Sequence, residues 1–277
     1  MSGPDAVDAA FSPCPNDTFV FHAWAHGLLP DAPPLDVTFA DIDVTNRTLV
    51  ERRHALVKIS AAALPVAESH GYTLLPAGGA VGRGCGPLLL TRDAASAADL
   101  AGRRLAIPSE LSTAWLVARR WQRSELPVGF GDIVVLPFPR IMPAVAAGTV
   151  DAGLVIHEAR FTFAQHGLHP VVDLGQWWES TTGLPLPLGA IVARDDLTAR
   201  YGVPALTGWL QASVAYARER PLESAGYVAA HADEMSAAVQ RQHIDLYVND
   251  FTASLGDEGL EAFGALLGGE PTGLQPA

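Results

Sequence analysis

The chain is poor in cysteine, in lysine and in charge. Two cysteines, Cys14 and Cys85, stand among 277 residues, too few for a disulfide scaffold or a cysteine-rich zinc site. Lysine occurs once, as Lys58, and arginine supplies the rest of the permanent positive charge. Charged residues make up 17% of the chain and the formal net charge is −12, so the basic footprint of a nucleic-acid binder is missing. No apolar run approaches the ~18–20 residues of a membrane-spanning helix. The opening MSGPDAVDAAF carries neither a basic region nor an apolar stretch. No secretion signal is therefore predicted, and the chain is expected in the cytoplasm without a membrane partner.

What remains is a globular composition, 49% hydrophobic with 26 glycines and 21 prolines spread along the chain, enough to bury a sizeable core. Apolar runs of strand length alternate with segments of helical period, which predicts an α/β protein with a mostly parallel sheet. Strands are expected at 6–11, 35–40, 57–60, 88–91, 104–107, 133–136, 152–156 and 190–193. Helices are expected to start near Thr18, Thr45, Ser112, Arg140, Ala205, Ala225 and Ser236.

Two segments resemble each other, GPLLLTRD at 86–93 and LGAIVARD at 188–195. Each is an apolar strand ending in Arg-Asp. They read as two crossover strands between two lobes, 1–91 plus 194–277 and 92–193, with a cleft between. One continuous sheet without a cleft is the alternative.

Several stretches could carry chemistry. In SPCPNDTF (12–19) a strand runs into a proline-rich turn, and Asn16 or Asp17 is the expected N-cap of a helix. A helix opening at the end of a strand offers amide groups to an anion; a capped core helix is the other reading. The pattern recurs in AIPSELSTAW (106–115), where Ser112 and Thr113 precede an amphipathic helix. Lys58 allows a Schiff base or, more simply, a polar contact at a strand end. The glycines of 78–86 lack the Lys-Ser/Thr of a phosphate loop, so they predict a tight turn, and Arg83 beside them faces either an anion or solvent. An apolar strand at 152–156 ends in His157, where ligands collect in open α/β sheets and where a histidine suits acid–base work. A purely structural histidine is equally compatible with that position. His22 and His26 lie four apart, yet the glutamate of a zincin is absent and no third ligand follows, so no metal is assigned. Trp177 and Trp178 read as packing or as an aromatic wall.

Taken together, SPCPNDTF, GRGCGP, GLVIHEARFT and LPLPLGAI, in this order, resemble the 1,4-dihydroxy-6-naphthoate synthase family of the futalosine route to menaquinone. The resemblance covers about residues 11–251. It implies a two-lobed fold like periplasmic binding proteins of the second type. It also implies a carbon–carbon lyase that converts cyclic dehypoxanthinylfutalosinate to 1,4-dihydroxy-6-naphthoate with loss of a small sugar-derived fragment and without a cofactor. By the same resemblance His157 is the catalytic base, and Lys58, Ile59, Ser60, Ser112, Thr113 and Asn46 line the substrate site. Asn16, Asp17, Thr18, Arg83 and Arg160 complete the expected contacts to a small anionic substrate. A monomer and a homodimer both remain compatible with the sequence. The competing class is a non-catalytic receptor or sensor for a small anion, because one fold hosts many functions.

Overall fold

The computed structural model describes residues 6–157, 159–232 and 236–268. The chain divides into two compact units, one formed up to Gly82 and again from Pro187, the other spanning Arg83–Leu186. In chain order the first unit begins with β1 (Val7–Phe11), α1 (Pro15–Ala25), β2 (Leu35–Phe39), α2 (Ile42–Thr48), β3 (Leu56–Ser60), α3 (Leu64–Ser69) and β4 (Tyr72–Gly82). The second unit holds β5 (Leu88–Thr91), β6 (Leu105–Ile107), α4 (Thr113–Glu125), β7 (Ile133–Val135), α5 (Phe138–Ala146) and β8 (Ala152–Val155). It closes with α6 (Ala159–Thr162), β9 (His169–Asp173) and α7 (Leu174–Thr182). The chain then returns through β10 (Leu186–Arg194) to α8 (Asp195–Tyr201), α9 (Val203–Glu219), α10 (Pro221–His231), α11 (Ala237–Tyr247), α12 (Asp250–Ala253) and α13 (Gly256–Leu267).

Each unit is built on a five-stranded sheet, ordered β2-β1-β3-β10-β4 in the first and β7-β6-β8-β5-β9 in the second. The expected mostly parallel sheet becomes two mixed ones. Three strands run parallel in each (β2, β1, β3 and β7, β6, β8), and an antiparallel strand follows, β10 against β3 and β5 against β8. Strand β5 lies wholly inside the second sheet, between β8 and β9. The divisions expected at 91 and 193 therefore fall instead after Gly82 and Leu186. The first unit ends its opening segment in β4 and resumes in β10, and these two are neighbours in one sheet.

β4 and β9 escape the sequence pattern. β4 carries Pro76, Gly78 and Gly79 in its middle, residues that normally interrupt strands. Gly78 and Gly79 are thus sheet residues, not turn residues. At Gly78 the backbone takes φ +74°, which favours glycine, and a Cβ would also meet the tip of the Ile191 side chain.

Both cores follow from the strands' apolar faces and from helices with helical-period burial. In α4 the buried residues Ala114, Val117, Ala118 and Trp121 fall at i, i+3, i+4 and i+7, one face of a helix. In the first unit Phe11 stacks on Phe21 at 4.1 Å among Trp24, Leu56, Ile191 and Leu210. In the second, Leu88, Leu90, Ala106, Ile141 and Val155 pack together. Among the described residues no helix is long and apolar enough to cross a membrane.

One contact inside the second unit admits no side chain at all. A Cβ on Gly86 would collide with the backbone of Gly175 at the start of α7. Neither backbone can yield without moving its element. Gly86→Ala is expected to destabilise the protein by about 1–3 kcal/mol or more, read as a lower denaturant midpoint; an unchanged midpoint would show that the two backbones can separate.

Candidate functional site

β1 and β3 are parallel neighbours, so their C-terminal ends emerge at one sheet edge, the edge at which open α/β sheets bind ligands. After β1 the chain turns through Ser12, Pro13 and Cys14, and α1 starts earlier than the sequence suggests. Cys14 occupies the N-cap position without a side-chain cap bond, and Pro15 is the first helical residue, a place its fixed φ suits. Asn16, Asp17 and Thr18 are therefore buried first-turn residues, not caps.

The Asp17 carboxylate gathers three partners. It accepts from Ser12 Oγ at 2.7 Å and from Asn16 Nδ2 at 2.8 Å, and it lies 3.2 Å from Lys58 Nζ. Lys58 also donates to the Gly78 carbonyl at 2.7 Å. Both side chains of this ion pair are 3% exposed, and such a pair persists in an interior only with these extra hydrogen bonds. Lys58 spends its donors on protein partners, which supports a polar role; Schiff-base chemistry would need its lone pair aimed at a carbonyl.

At the end of β3, Asn46 and Ser60 clip α2 to the sheet. Asn46 Nδ2 donates to Ser60 Oγ at 3.1 Å, and the Ser60 amide donates to Asn46 Oδ1 at 2.9 Å. A hydroxyl that accepts from an amide still has its own proton to donate. Ile59, between Lys58 and Ser60, is fully buried; strand alternation turns its side chain to the opposite face, so only its backbone belongs with this cluster.

In the second unit β6 and β8 are likewise parallel neighbours, and their C-terminal ends carry the Ser109–Thr113 segment and His157. Ser112 caps α4, accepting from the Trp115 amide at 3.2 Å and donating to the Ser109 carbonyl at 2.7 Å. Ser109 Oγ accepts from the Leu111 amide at 3.2 Å. The hydroxyls thus stiffen the loop whose helix start presents amide groups. His157 is half-buried and adopts φ 52°, a conformation costing a side-chain-bearing residue about 1–3 kcal/mol and concentrated at functional sites. Its ring stands edge-on to Phe138 at 5.8 Å.

Other expected contacts have structural partners. Thr18 Oγ1 bonds back to the carbonyls of Cys14 and Pro15. Arg83 donates to the Gly183 carbonyl at 2.9 Å. Arg160 donates to the Gly86 carbonyl at 2.7 Å and pairs with Asp173 at 2.5 Å. Trp178 is buried with its indole N–H on the Pro185 carbonyl, and Trp177 donates to Glu125; both belong to helix α7. Burial pushes the Cys85 thiol up to about 12, which keeps it unreactive. His22 and His26 lie tilted against each other in an aromatic cluster with Tyr227, whose ring meets His26 edge-on; burial first, then His26, lowers the pKa of His22. Among the described residues no group of three or more His, Cys, Asp or Glu side chains could hold a metal ion.

Three polar residues join these clusters without having been singled out in the sequence: Ser12, Ser109 and His243. The serines lie inside motifs already noted, and their hydroxyls next to a proline were the available signal. His243, whose Nε2 lies 2.9 Å from Asn16 Oδ1, had none.

Known proteins match the chain over nearly its whole length. Residues 7–268 match a family described as menaquinone biosynthesis. A 1,4-dihydroxy-6-naphtoate synthase of Streptomyces coelicolor is 55% identical over 277 residues, 99% of this chain and 96% of that protein. A second, from Thermus thermophilus, is 43% identical over 263 residues, 95% of this chain and 93% of that protein. A crystal structure of an Archaeoglobus fulgidus protein superposes with a TM-score of 0.85 at 31% identity, covering 94% of this chain and 95% of that one. A Candida albicans protein described as having the generic periplasmic binding protein fold gives 0.70 at 12% identity, covering 95% and 89%, and speaks to the fold alone. The architecture is that of periplasmic binding proteins, and the chain belongs to the menaquinone biosynthesis family as an enzyme of that route.

Proposed function

We propose that the protein is a carbon–carbon lyase that converts cyclic dehypoxanthinylfutalosinate to 1,4-dihydroxy-6-naphthoate and releases a small sugar-derived fragment. The observation that carries this reading is His157, held in a strained backbone at the end of β8 in a chain 55% identical to a named naphtoate synthase. His157 acts as general base. It removes the first proton from the spiro-fused sugar and starts a retro-aldol-type C–C cleavage, and aromatisation of the remaining ring system supplies the driving force. That sequence of steps calls for no redox change in the protein.

The other roles follow the hydrogen-bond inventory. Ser60 and Asn46 orient sugar hydroxyls, Ser60 as donor. The substrate's aromatic carboxylate suits a helix start stiffened by hydroxyls, such as Ser112 and Thr113 at α4 or Asn16 at α1. Asp17 and Lys58 support these contacts from beneath, and Arg83 and Arg160 hold loops of the second unit. The reading includes a cytoplasmic protein whose partner is this small anion. The receptor alternative rests on fold similarity alone.

Incubating the purified protein with the cyclic intermediate and following the reaction by mass detection is expected to yield the naphthoate. Folded protein that binds the intermediate and releases no product would favour the receptor. Ser60→Ala is expected to lower kcat/KM by roughly tenfold, the cost of one hydrogen bond to a substrate hydroxyl, measured in the same assay.

A further inference from the structure

We propose that His243 is a positioning residue, acting on the site through Asn16. The inference rests on the reading above, in which the turn after β1 and the end of β3 contact the substrate. His243 is completely buried in α11 and is separated from Asn16 by 227 residues of chain, yet its Nε2 lies 2.9 Å from Asn16 Oδ1. No step of the proposed reaction uses it.

The neighbours of Asn16 decide which way its amide points. Its Nδ2 donates to Asp17 Oδ1 at 2.8 Å. The reversed orientation would set the amide oxygen against the carboxylate, two acceptors face to face. Asn16 Oδ1 therefore faces His243, which carries its proton on Nε2 and donates. The ring is seated against Tyr247 with centroids 4.6 Å apart.

From Asn16 the bonds continue to Asp17 and so to Lys58, 3.2 Å away, whose other bond holds the Gly78 carbonyl. Lys58 and Ser60 are two residues apart in β3, on one face of the strand. Through this sequence of bonds the far helix α11 fixes the first turn of α1 and the lysine beside Ser60. Removing the His243 donor strands the buried Asn16 Oδ1; the side chain moves to regain a donor, its bond to Asp17 is strained, and the carboxylate and Lys58 shift with it.

The test is steady-state kinetics on four variants with the cyclic intermediate as substrate. His243→Leu is expected to lower kcat/KM by roughly tenfold or more, as loss of a buried hydrogen bond does. His243→Gln, whose amide reaches a similar point, should restore it to within about threefold of the parent by keeping the donor. Asn16→Ala should show a comparable loss, and His243→Leu on top of Asn16→Ala should add nothing further, because the two act through one bond. A purely structural histidine would give losses that multiply, and no rescue by glutamine; either result overturns the proposal. So does a parental kcat/KM in His243→Leu. If Asn16→Ala is itself parental, the site reading in the first unit fails as well; if Asn16→Ala is impaired and His243→Leu is not, only the role of His243 fails. Should the leucine variant not fold, His243→Asn, too short to reach Asn16, replaces it in the same comparison with His243→Gln.

Discussion

Replacing His157 with alanine is expected to cut turnover by about 10²–10⁴-fold, the usual share of a general base, with little loss of substrate binding. The position itself separates catalysis from folding. At φ 52° the backbone resists any residue bearing a Cβ, so alanine keeps the strain and glycine removes it. His157→Gly should therefore lose as much turnover as His157→Ala while melting no lower. Added imidazole should recover part of the activity in the glycine variant, where the ring's space is vacant. Near-normal turnover in either variant would sink the assignment of the base. An equal loss of substrate affinity and turnover would recast His157 as a binding group.

The second large effect concerns the Asp17–Lys58 pair. Each side chain is 3% exposed, so removing one partner leaves a buried charge without its counterion. Lys58→Met is expected to cost about 3–5 kcal/mol, or roughly 6–20 °C in melting temperature for a protein of this size. Asp17→Asn should cost less than Lys58→Met, because asparagine keeps one acceptor oxygen, enough for either Ser12 or Asn16, while the ammonium retains the Gly78 carbonyl. The double variant Asp17→Asn/Lys58→Met should be more stable than the sum of the two losses predicts, since both charges leave together. Its activity should stay low, because the contacts beneath Ser60 are gone. Thermal melts of the three variants decide the matter. Strictly additive losses, or a Lys58→Met protein within about 1 kcal/mol of the parent, would mean that solvent reaches the pair and screens it.

Much of the fold could be read from local pattern. The run at 88–91 coincides with β5, and the apolar stretches before Pro108 and His157 are the strands β6 and β8. A strand buried on both faces announces itself as an unbroken apolar run, whatever surrounds it. β4 did not, because its proline and glycines answer to neighbours far along the chain: Gly78 exists for Ile191, and its carbonyl for Lys58. α1 starts at Pro15, three residues before the Thr18 that the pattern suggests, because Asn16 and Asp17 look like caps. Their side chains are instead drawn into tertiary bonds with His243 and Lys58, which outcompete capping once the helix is buried.

The site divides along the same line. His157 could be placed from sequence, since the end of a buried strand is a local property, and the resemblance of IHEARF to a known family gave it a role. Ser112 at a helix start was readable for the same reason. The strain at His157, the Asn46–Ser60 clip and the path from His243 to Lys58 were not, because each depends on distance in space between residues that local pattern treats as independent. Sequence periodicity reports how a segment meets solvent and core. Only tertiary packing, which desolvates a carboxylate and an ammonium together and forces every buried donor to find an acceptor, decides which polar side chains become partners.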